Sequence, residues 1–179
     1  MKCIVKLDDN DFNIKKEKFK NPRVRFASRG IIINDEGKIA ILNKRKKNEY
    51  KLIGGGIEAY EDKEKAFLRE AREETGFEIE IDDFLGTTIE LKSHDNFIQK
   101  SFIYVAHPVK DMEHLELTKQ EIAEDSTLLW LDIDDALLKI KDSENNLKPS
   151  KYDGKLSVYH TKYIVRRDYQ ILKYFKQKS

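Results

Sequence analysis

Apolar residues recur along the chain in short runs and alternations that predict several β-strands. Phe77, Ile79 and Ile81 alternate with acidic residues, which indicates a half-buried strand. Short apolar runs predict further strands at residues 24–33 with a break near Gly30, 39–42, 50–53, 87–91, 97–105 and 128–131. The turn signal at residues 34–37 predicts that the first two of these runs form a hairpin.

Helical signals mark three other segments. Asp62 is a favourable N-cap residue and Gly76 a favourable stop, so the intervening residues are predicted to form a helix that ends at Thr75. Residues 133–140 predict a second helix, and apolar residues at positions 165, 169, 172 and 175 predict a third. Strands that flank and follow one long helix predict an α/β fold with a mixed sheet between helices.

Two segments lack a sustained period. Residues 1–22 are polar and rich in lysine, and we predict an N-terminal arm or an irregular lead-in there; residues 141–157 are predicted to form a loop. The length of 179 residues predicts a single domain, which we place at residues 23–179, with the C-terminal helix included.

Composition narrows the classes of partner and compartment. Charged residues make up 37% of the chain and the net charge is +1, so overall electrostatics favour neither a nucleic-acid partner nor a membrane partner. A single cysteine, Cys3, excludes an internal disulfide framework and fits a reducing compartment. We find neither a signal-peptide pattern nor an apolar run of membrane-spanning length, and therefore expect a cytoplasmic protein.

Three glutamates on the first predicted helix are the strongest chemical signal. Glu70, Glu73 and Glu74 are three and four positions apart, so their carboxylates lie on one helix face and repel one another. A bound cation removes this repulsion, and oxygen ligands select Mg²⁺, with Mn²⁺ as a substitute, over zinc. The alternative interpretation is an ordinary solvent-exposed helix face whose glutamates pair with Lys or Arg. It does not explain the glycines at set positions before and after the helix.

The segment from residue 55 to residue 77 resembles the Nudix box of the MutT-like Nudix hydrolases. All seven positions at which the box specifies one residue type carry that type. The matching positions are Gly55, Glu61, Arg69, Glu70, Ala71, Glu73, Glu74, Gly76 and Phe77. The resemblance implies a Nudix α/β/α sandwich and Mg²⁺-dependent hydrolysis of a nucleoside diphosphate linked to another group.

The same resemblance implies a role for each box residue. Glu70, Glu73 and Glu74 would bind the metal, together with the carbonyl oxygen of Gly54. Arg69 would orient a box carboxylate, and Glu61 would support the metal ligands or act as an auxiliary one. The run Gly54, Gly55 and Gly56 lets the backbone approach a charged ligand or cofactor.

Residues outside the box are expected to complete the site. Many family members recruit a further carboxylate or histidine, and residues 117–126 offer Glu121 as the first candidate for a base and Glu124 as the second. Four histidines lack metal-ligand spacing and are interpreted as structural or surface residues: His94, His107, His114 and His160. Four other residues are candidates for a nucleotide site, although surface arginine and core aromatic are the preferred interpretations: Arg25, Arg29, Phe102 and Tyr104.

Substrate subtype is the least determined property. Lys92 stands where the family's ADP-ribose type often has proline, and by elimination a (deoxy)nucleoside triphosphate or an uncommon substrate is favoured. An isopentenyl diphosphate isomerase needs a cysteine in its site, and Cys3 lies outside the core segments. A non-catalytic Nudix-fold binding or regulatory module is the other alternative, although such proteins usually lose box glutamates. The expected partner is a nucleotide-type small molecule, and a homodimer stays open.

Overall fold

Seven strands and four helices make up the regular structure of this computed structural model, which describes residues 1–150, 152 and 157–178. The strands are β1 (Cys3–Asp8), β2 (Arg23–Ile32), β3 (Ile39–Lys44), β4 (Glu49–Gly56), β5 (Phe77–Lys92), β6 (Phe97–Asp111) and β7 (Ser126–Leu131). They form one mixed sheet in the order β1-β5-β6-β2-β4-β3-β7. The pairs β1–β5 and β2–β6 are parallel, and the other neighbours are antiparallel.

The helices cover both faces of the sheet. They are α1 (Lys63–Thr75), α2 (Lys119–Ala123), α3 (Ile133–Asn145) and α4 (Tyr159–Lys176). Ile31 and Ile32 show the two layers, because successive strand residues point to opposite faces. Ile32 packs in the core that contains Phe67 of α1, whereas Ile31 packs in the core that contains Ile140 of α3 and Leu172 of α4. The predicted α/β/α arrangement is therefore confirmed. None of the described helices is long and apolar enough to span a membrane.

Helix α1 begins and ends where the sequence predicts. The Asp62 side chain accepts hydrogen bonds from the backbone N–H groups of Glu64 and Lys65, and Gly76 adopts the left-handed conformation with φ 73°. Ala66, Phe67 and Ala71 are fully buried beneath the helix. The opposite side of the helix is thereby left to its charged residues.

The predicted irregular lead-in is wrong for residues 3–8. They form the edge strand β1, which pairs in parallel with β5 and buries Val5 and Leu7. Strand β1 is only six residues long and is followed by a long polar, lysine-rich segment, so its short apolar run gives no sustained period. Its structure comes from a pairing with residues about 80 positions away, which a local pattern does not report.

The predicted hairpin between the first two strands is also wrong. The turn itself forms, since Gly37 N–H donates to the Asn34 carbonyl at 2.8 Å and a single bridge joins Ile33 to Ile39. Strand β3 nevertheless pairs with β4 and β7, and β4 lies between β2 and β3. The true hairpin is β3–β4, closed by a short 3₁₀ turn at Arg45–Lys47.

Three boundaries differ from the sequence prediction. Strand β2 runs through Gly30 without a break, and the two runs after α1 are one long strand, β5, with local irregularities. Helix α3 continues to Asn145, so the predicted loop at 141–157 begins later; residues 151 and 153–156 of that loop lie outside the described residues.

Candidate functional site

Strand β4 supplies the glycine-rich side of the site. Its residues Glu49–Leu52 pair with β3 and its last four residues pair with β2, so the strand changes partner at its middle. Gly54 lies just past this point with φ 135°, and a β-carbon there would overlap the Ser28 carbonyl oxygen and Arg29. Only glycine fits this position, and its backbone stays accessible to polar groups.

Helix α1 brings its carboxylates against the same glycines. The Glu70 carboxylate lies over the α-carbon of Gly55, in the space that a β-carbon would fill. Glu74, one turn further along the helix, accepts a hydrogen bond from the backbone N–H of Gly54 at 2.8 Å. Glu73 lies between them and is partly exposed. Glu70 and Glu74 are therefore gathered at the end of β4, whereas Glu73 is joined to Glu70 only through Arg69.

Glu74 is the most buried of these carboxylates. It is 2% exposed, and burial raises the pKa of Glu74 to about 7 although Lys51 opposes this shift. The Lys51 ammonium lies 2.6 Å from Glu74 Oε1 and 3.1 Å from the Gly54 carbonyl oxygen. One cation thus contacts two of the oxygens that the family resemblance assigns to the metal.

Arg69 holds the remaining box carboxylates together. Its Nε and Nη2 donate to the two oxygens of Glu61 at 2.9 and 3.0 Å, and Nη1 donates to Glu70 at 2.9 Å and to Glu73 at 3.2 Å. A further bond from Nη2 reaches the Gly56 carbonyl at 3.0 Å. The bidentate contact with Arg69 lowers the pKa of Glu61, whereas burial raises the pKa of Glu73. These bonds correspond to the orienting role that the resemblance implies for Arg69.

The oxygen atoms at the end of β4 suit a hard divalent cation, although in this structure they contact the side-chain cations Lys51 and Arg69. Carboxylates of Glu70 and Glu74 and the Gly54 carbonyl are oxygen ligands of the kind that Mg²⁺ prefers. Within the part of the chain that the structure describes, no three acidic, histidine or cysteine side chains stand ready to hold a metal as they are placed. Lys51 and Arg69 occupy the oxygens in question, so a metal ion would replace protein cations at this position.

A cavity of about 520 Å³ opens beside the glycines. Both Glu70 and Glu74 line it, and so do many basic side chains and one end of α4. Its basic lining consists of Arg23, Arg25, Arg29, Lys44, Lys47 and Lys51. A cavity with carboxylates at one place and excess positive charge elsewhere suits a substrate that binds through anionic oxygens.

The structure separates the two candidate bases outside the box. Glu121 lines the cavity; its Oε2 accepts from the Thr118 backbone and hydroxyl at 2.9 and 2.8 Å, and Oε1 makes no hydrogen bond to a described residue. Burial opposes ionisation of Glu121, but the bonds from Thr118 and the charge of Lys51 outweigh it and lower its pKa. Glu124 is 2% exposed and bound by Lys44, Gln120 and Ser150, which gives it a structural role.

The preferred interpretation of the arginines as surface residues is wrong for Arg29. Arg29 is 4% exposed, and both Arg25 and Arg29 line the cavity. The core interpretation holds for Tyr104, which is buried against Phe67, and Phe102 stacks on Phe26 away from the cavity.

Sequence reasoning also overlooked Lys51 and Gln99, which line the cavity from β4 and β6. Arg23 was overlooked too, because the predicted strand begins at residue 24; its spacing of two residues from Arg25 is the signal that would place both on one strand face.

The histidines are mostly peripheral. His94, His107 and His114 pair with surface carboxylates or backbone carbonyls. His160 differs, because it lines the cavity, stacks on Phe97 and contacts Asp95. Burial and the nearby Lys92 ammonium lower the pKa of His160 to about 4, so the imidazole is neutral at pH 7.

Comparison with solved structures identifies the fold. The MutT protein from Methanosarcina mazei Go1 superposes with a TM-score of 0.54 at 16% identity, over 89% of this chain and 99% of that one. A UDP-X diphosphatase superposes with a TM-score of 0.53 at 16% identity, over 91% of this chain and 67% of that one. No curated protein matches the chain in sequence.

A family model settles the relationship that the box suggests. The NUDIX domain model matches residues 24–151, which is more than half of the chain and includes the complete box. Members of this family generally use a divalent metal and act on small nucleotide substrates. The chain therefore belongs to the Nudix family and is a pyrophosphohydrolase of the Nudix type.

Proposed function

We propose that this protein is a Mg²⁺-dependent hydrolase that cleaves the diphosphate linkage of a nucleoside diphosphate derivative, with (deoxy)nucleoside triphosphates as the first candidates. The observation that carries the proposal is the position of Glu74 and the Gly54 carbonyl oxygen, which share one cation, Lys51, at the wall of a basic cavity. Two oxygen atoms that already contact one cation would be two of the ligands of a metal ion bound at that place.

Particular residues would hold the metal. Glu70, Glu73, Glu74 and the Gly54 carbonyl would be the ligands, and Glu61 would assist through Arg69, which already joins Glu61 to Glu70 and Glu73. A bound Mg²⁺ or Mn²⁺ supplies charge neutralisation at the diphosphate oxygens and a lower pKa for a coordinated water.

The protein's own groups supply the rest of the chemistry. Glu121 is ionised at neutral pH and has one oxygen without a partner among the described residues, so it can accept a proton from the attacking water. The water oxygen forms a bond to one phosphorus as the bridging phosphorus–oxygen bond breaks, the second phosphoryl half leaves with the bonding electron pair, and Glu121 then releases the proton to solvent. The basic cavity lining binds the charge that develops on the two phosphoryl halves.

A substrate panel tests the proposal. Purified protein is incubated with Mg²⁺ and nucleoside triphosphates, deoxynucleoside triphosphates, nucleoside diphosphate sugars or dinucleoside polyphosphates, and the products are separated by ion-exchange chromatography. We expect nucleoside monophosphate and the complementary phosphate from at least one class. Folded protein that turns over no diphosphate compound with either Mg²⁺ or Mn²⁺ would overturn the proposal.

A further inference from the structure

Three arginines follow one face of β2 into the cavity. Arg23, Arg25 and Arg29 are separated by even numbers of residues within one strand, which places them on the same face of the sheet. All three line the cavity that Glu70 and Glu74 also line. We call these three residues the arginine row.

The arginine row has no acidic partners among the described residues. None of the three guanidinium groups forms an ion pair there, whereas Arg69 and Arg166 each bind a carboxylate through two nitrogens. Arg23 lies over the Phe97 ring at 4.6 Å instead. The buried Nε of Arg29 has no hydrogen-bond partner. Buried guanidinium groups are usually paired, so an unpaired one that lines a cavity points to a missing anion.

The charges around Arg29 support this interpretation. Arg167 binds Glu90 and Asp168, and Lys92 binds Glu90, in a fully buried cluster beside Arg29. Glu74 also acts on Arg29 but is paired with Lys51, so the rest of the cluster contains three cations, Arg29, Arg167 and Lys92, and two anions, Glu90 and Asp168. One positive charge is therefore left over beneath the cavity, and an anionic ligand would neutralise it.

The neighbouring backbone leaves room for such a ligand. A β-carbon at Gly56 would overlap the Arg25 guanidinium, so this glycine allows Arg25 to lie flat against β4. Gln99 pairs with Arg25 in the β2–β6 register, is 4% exposed and also lines the cavity. Its amide makes no hydrogen bond to a described residue. Guanidinium and amide N–H groups together match the oxygens of a phosphate.

We infer that the arginine row and Gln99 form an anion subsite for a phosphate group of the substrate that lies outside the anhydride bond being hydrolysed. The substrate class is then a small molecule with at least three phosphates, and not a nucleoside diphosphate joined to a neutral sugar. This inference rests on the proposed function. The third phosphate either continues the chain, as in a nucleoside triphosphate, or is a separate phosphoryl group.

Substrate preference in variants tests the subsite. The ratio of kcat/KM for a nucleoside triphosphate to kcat/KM for a nucleoside diphosphate glucose is measured in wild type, Arg25→Gln and Arg29→Gln. We expect each substitution to lower this ratio by about 10- to 100-fold, because a hydrogen-bonded charge contact is lost. The control is Arg45→Gln, which removes one positive charge from a surface pair with Asp125 and leaves the ratio unchanged. Coenzyme A, whose 3′-phosphate is separate from its diphosphate, distinguishes the two arrangements of the third phosphate.

A binding measurement separates this inference from the proposed function. Calorimetric titration of inorganic tripolyphosphate in excess chelator detects the subsite without turnover, and Arg25, an exposed residue, can be replaced without disturbing the core. Binding that is lost in Arg25→Gln and kept in Arg45→Gln supports the subsite even if no substrate is hydrolysed. An active enzyme whose preference and tripolyphosphate affinity are the same in Arg25→Gln as in wild type would overturn the subsite and leave the proposed function standing.

Discussion

The Lys51 ammonium lies 2.6 Å from Glu74 Oε1, and both side chains are buried. The same ammonium lies 3.1 Å from the Gly54 carbonyl oxygen. A lysine in this position satisfies two oxygens that would otherwise be buried close to other carboxylates. It also competes with any divalent ion for them.

Replacing Lys51 should therefore strengthen metal binding. We expect Lys51→Met to bind Mn²⁺ about tenfold more tightly than wild type, which corresponds to roughly 1.4 kcal/mol. Direct titration of Mn²⁺, followed by electron paramagnetic resonance, measures this without turnover. Lys44→Met is the matched control, since Lys44 lines the same cavity but pairs with Glu124. Weaker Mn²⁺ binding in Lys51→Met than in wild type would show that the ammonium organises the ligands instead of competing for them.

Glu121 and Glu124 should differ in their effects. Glu121→Gln keeps the Thr118 capping box, because glutamine also serves at that helix position, and it removes the candidate base. We expect kcat to fall by about 10²- to 10⁴-fold at saturating metal. Glu124→Gln should leave kcat near wild type and lower thermal stability, because Lys44 loses its buried partner. Wild-type turnover in Glu121→Gln would place the base elsewhere.

The bounds of α1 and the placement of Glu70 and Glu74 on one side of it were predictable from sequence, because its cap, its stop and the spacing of these glutamates are local features. The position of β4 between β2 and β3 was not, since the turn at 34–37 favours pairing of its immediate neighbours. The ion pair between Lys51 and Glu74 was equally unpredictable, because Glu74 is 23 positions away in the sequence and contacts Lys51 only when α1 packs on β4. Burial of Arg29 depends on β5 and α4, which carry the buried charges around it and are distant from it in the sequence.

The buried charge cluster predicts a pH dependence of stability. Burial opposes ionisation of Glu90, but Arg167 and Lys92 outweigh it and lower the pKa of Glu90 from 4.5 to about 2. A carboxylate whose pKa is lower in the folded state stabilises the fold above its unfolded pKa and loses this contribution as pH falls through the folded pKa. Glu90 should therefore contribute about 3 kcal/mol above pH 4.5, and this should disappear toward pH 2.

Comparison of Glu90→Gln with wild type measures that contribution. Urea unfolding at pH 7 should show the variant less stable by about 3 kcal/mol, and the difference should shrink steadily between pH 4.5 and pH 2. Glu36→Gln removes an exposed carboxylate whose pKa Lys38 also lowers, but water screens this pair, so the same difference should be much smaller. A constant difference between pH 7 and pH 2 would contradict the assignment of this pH dependence to Glu90.

Turnover by Glu74→Gln at saturating Mg²⁺ tests the central claim most directly. The variant should fold, because the raised pKa of Glu74 means that a neutral side chain is tolerated there, and circular dichroism checks this. We predict no hydrolysis of a nucleoside triphosphate above background by Glu74→Gln, and for wild type complete loss of hydrolysis in EDTA with recovery on addition of Mg²⁺. A folded Glu74→Gln enzyme that turns over near the wild-type rate, or wild-type activity that survives exhaustive chelation, would contradict the account.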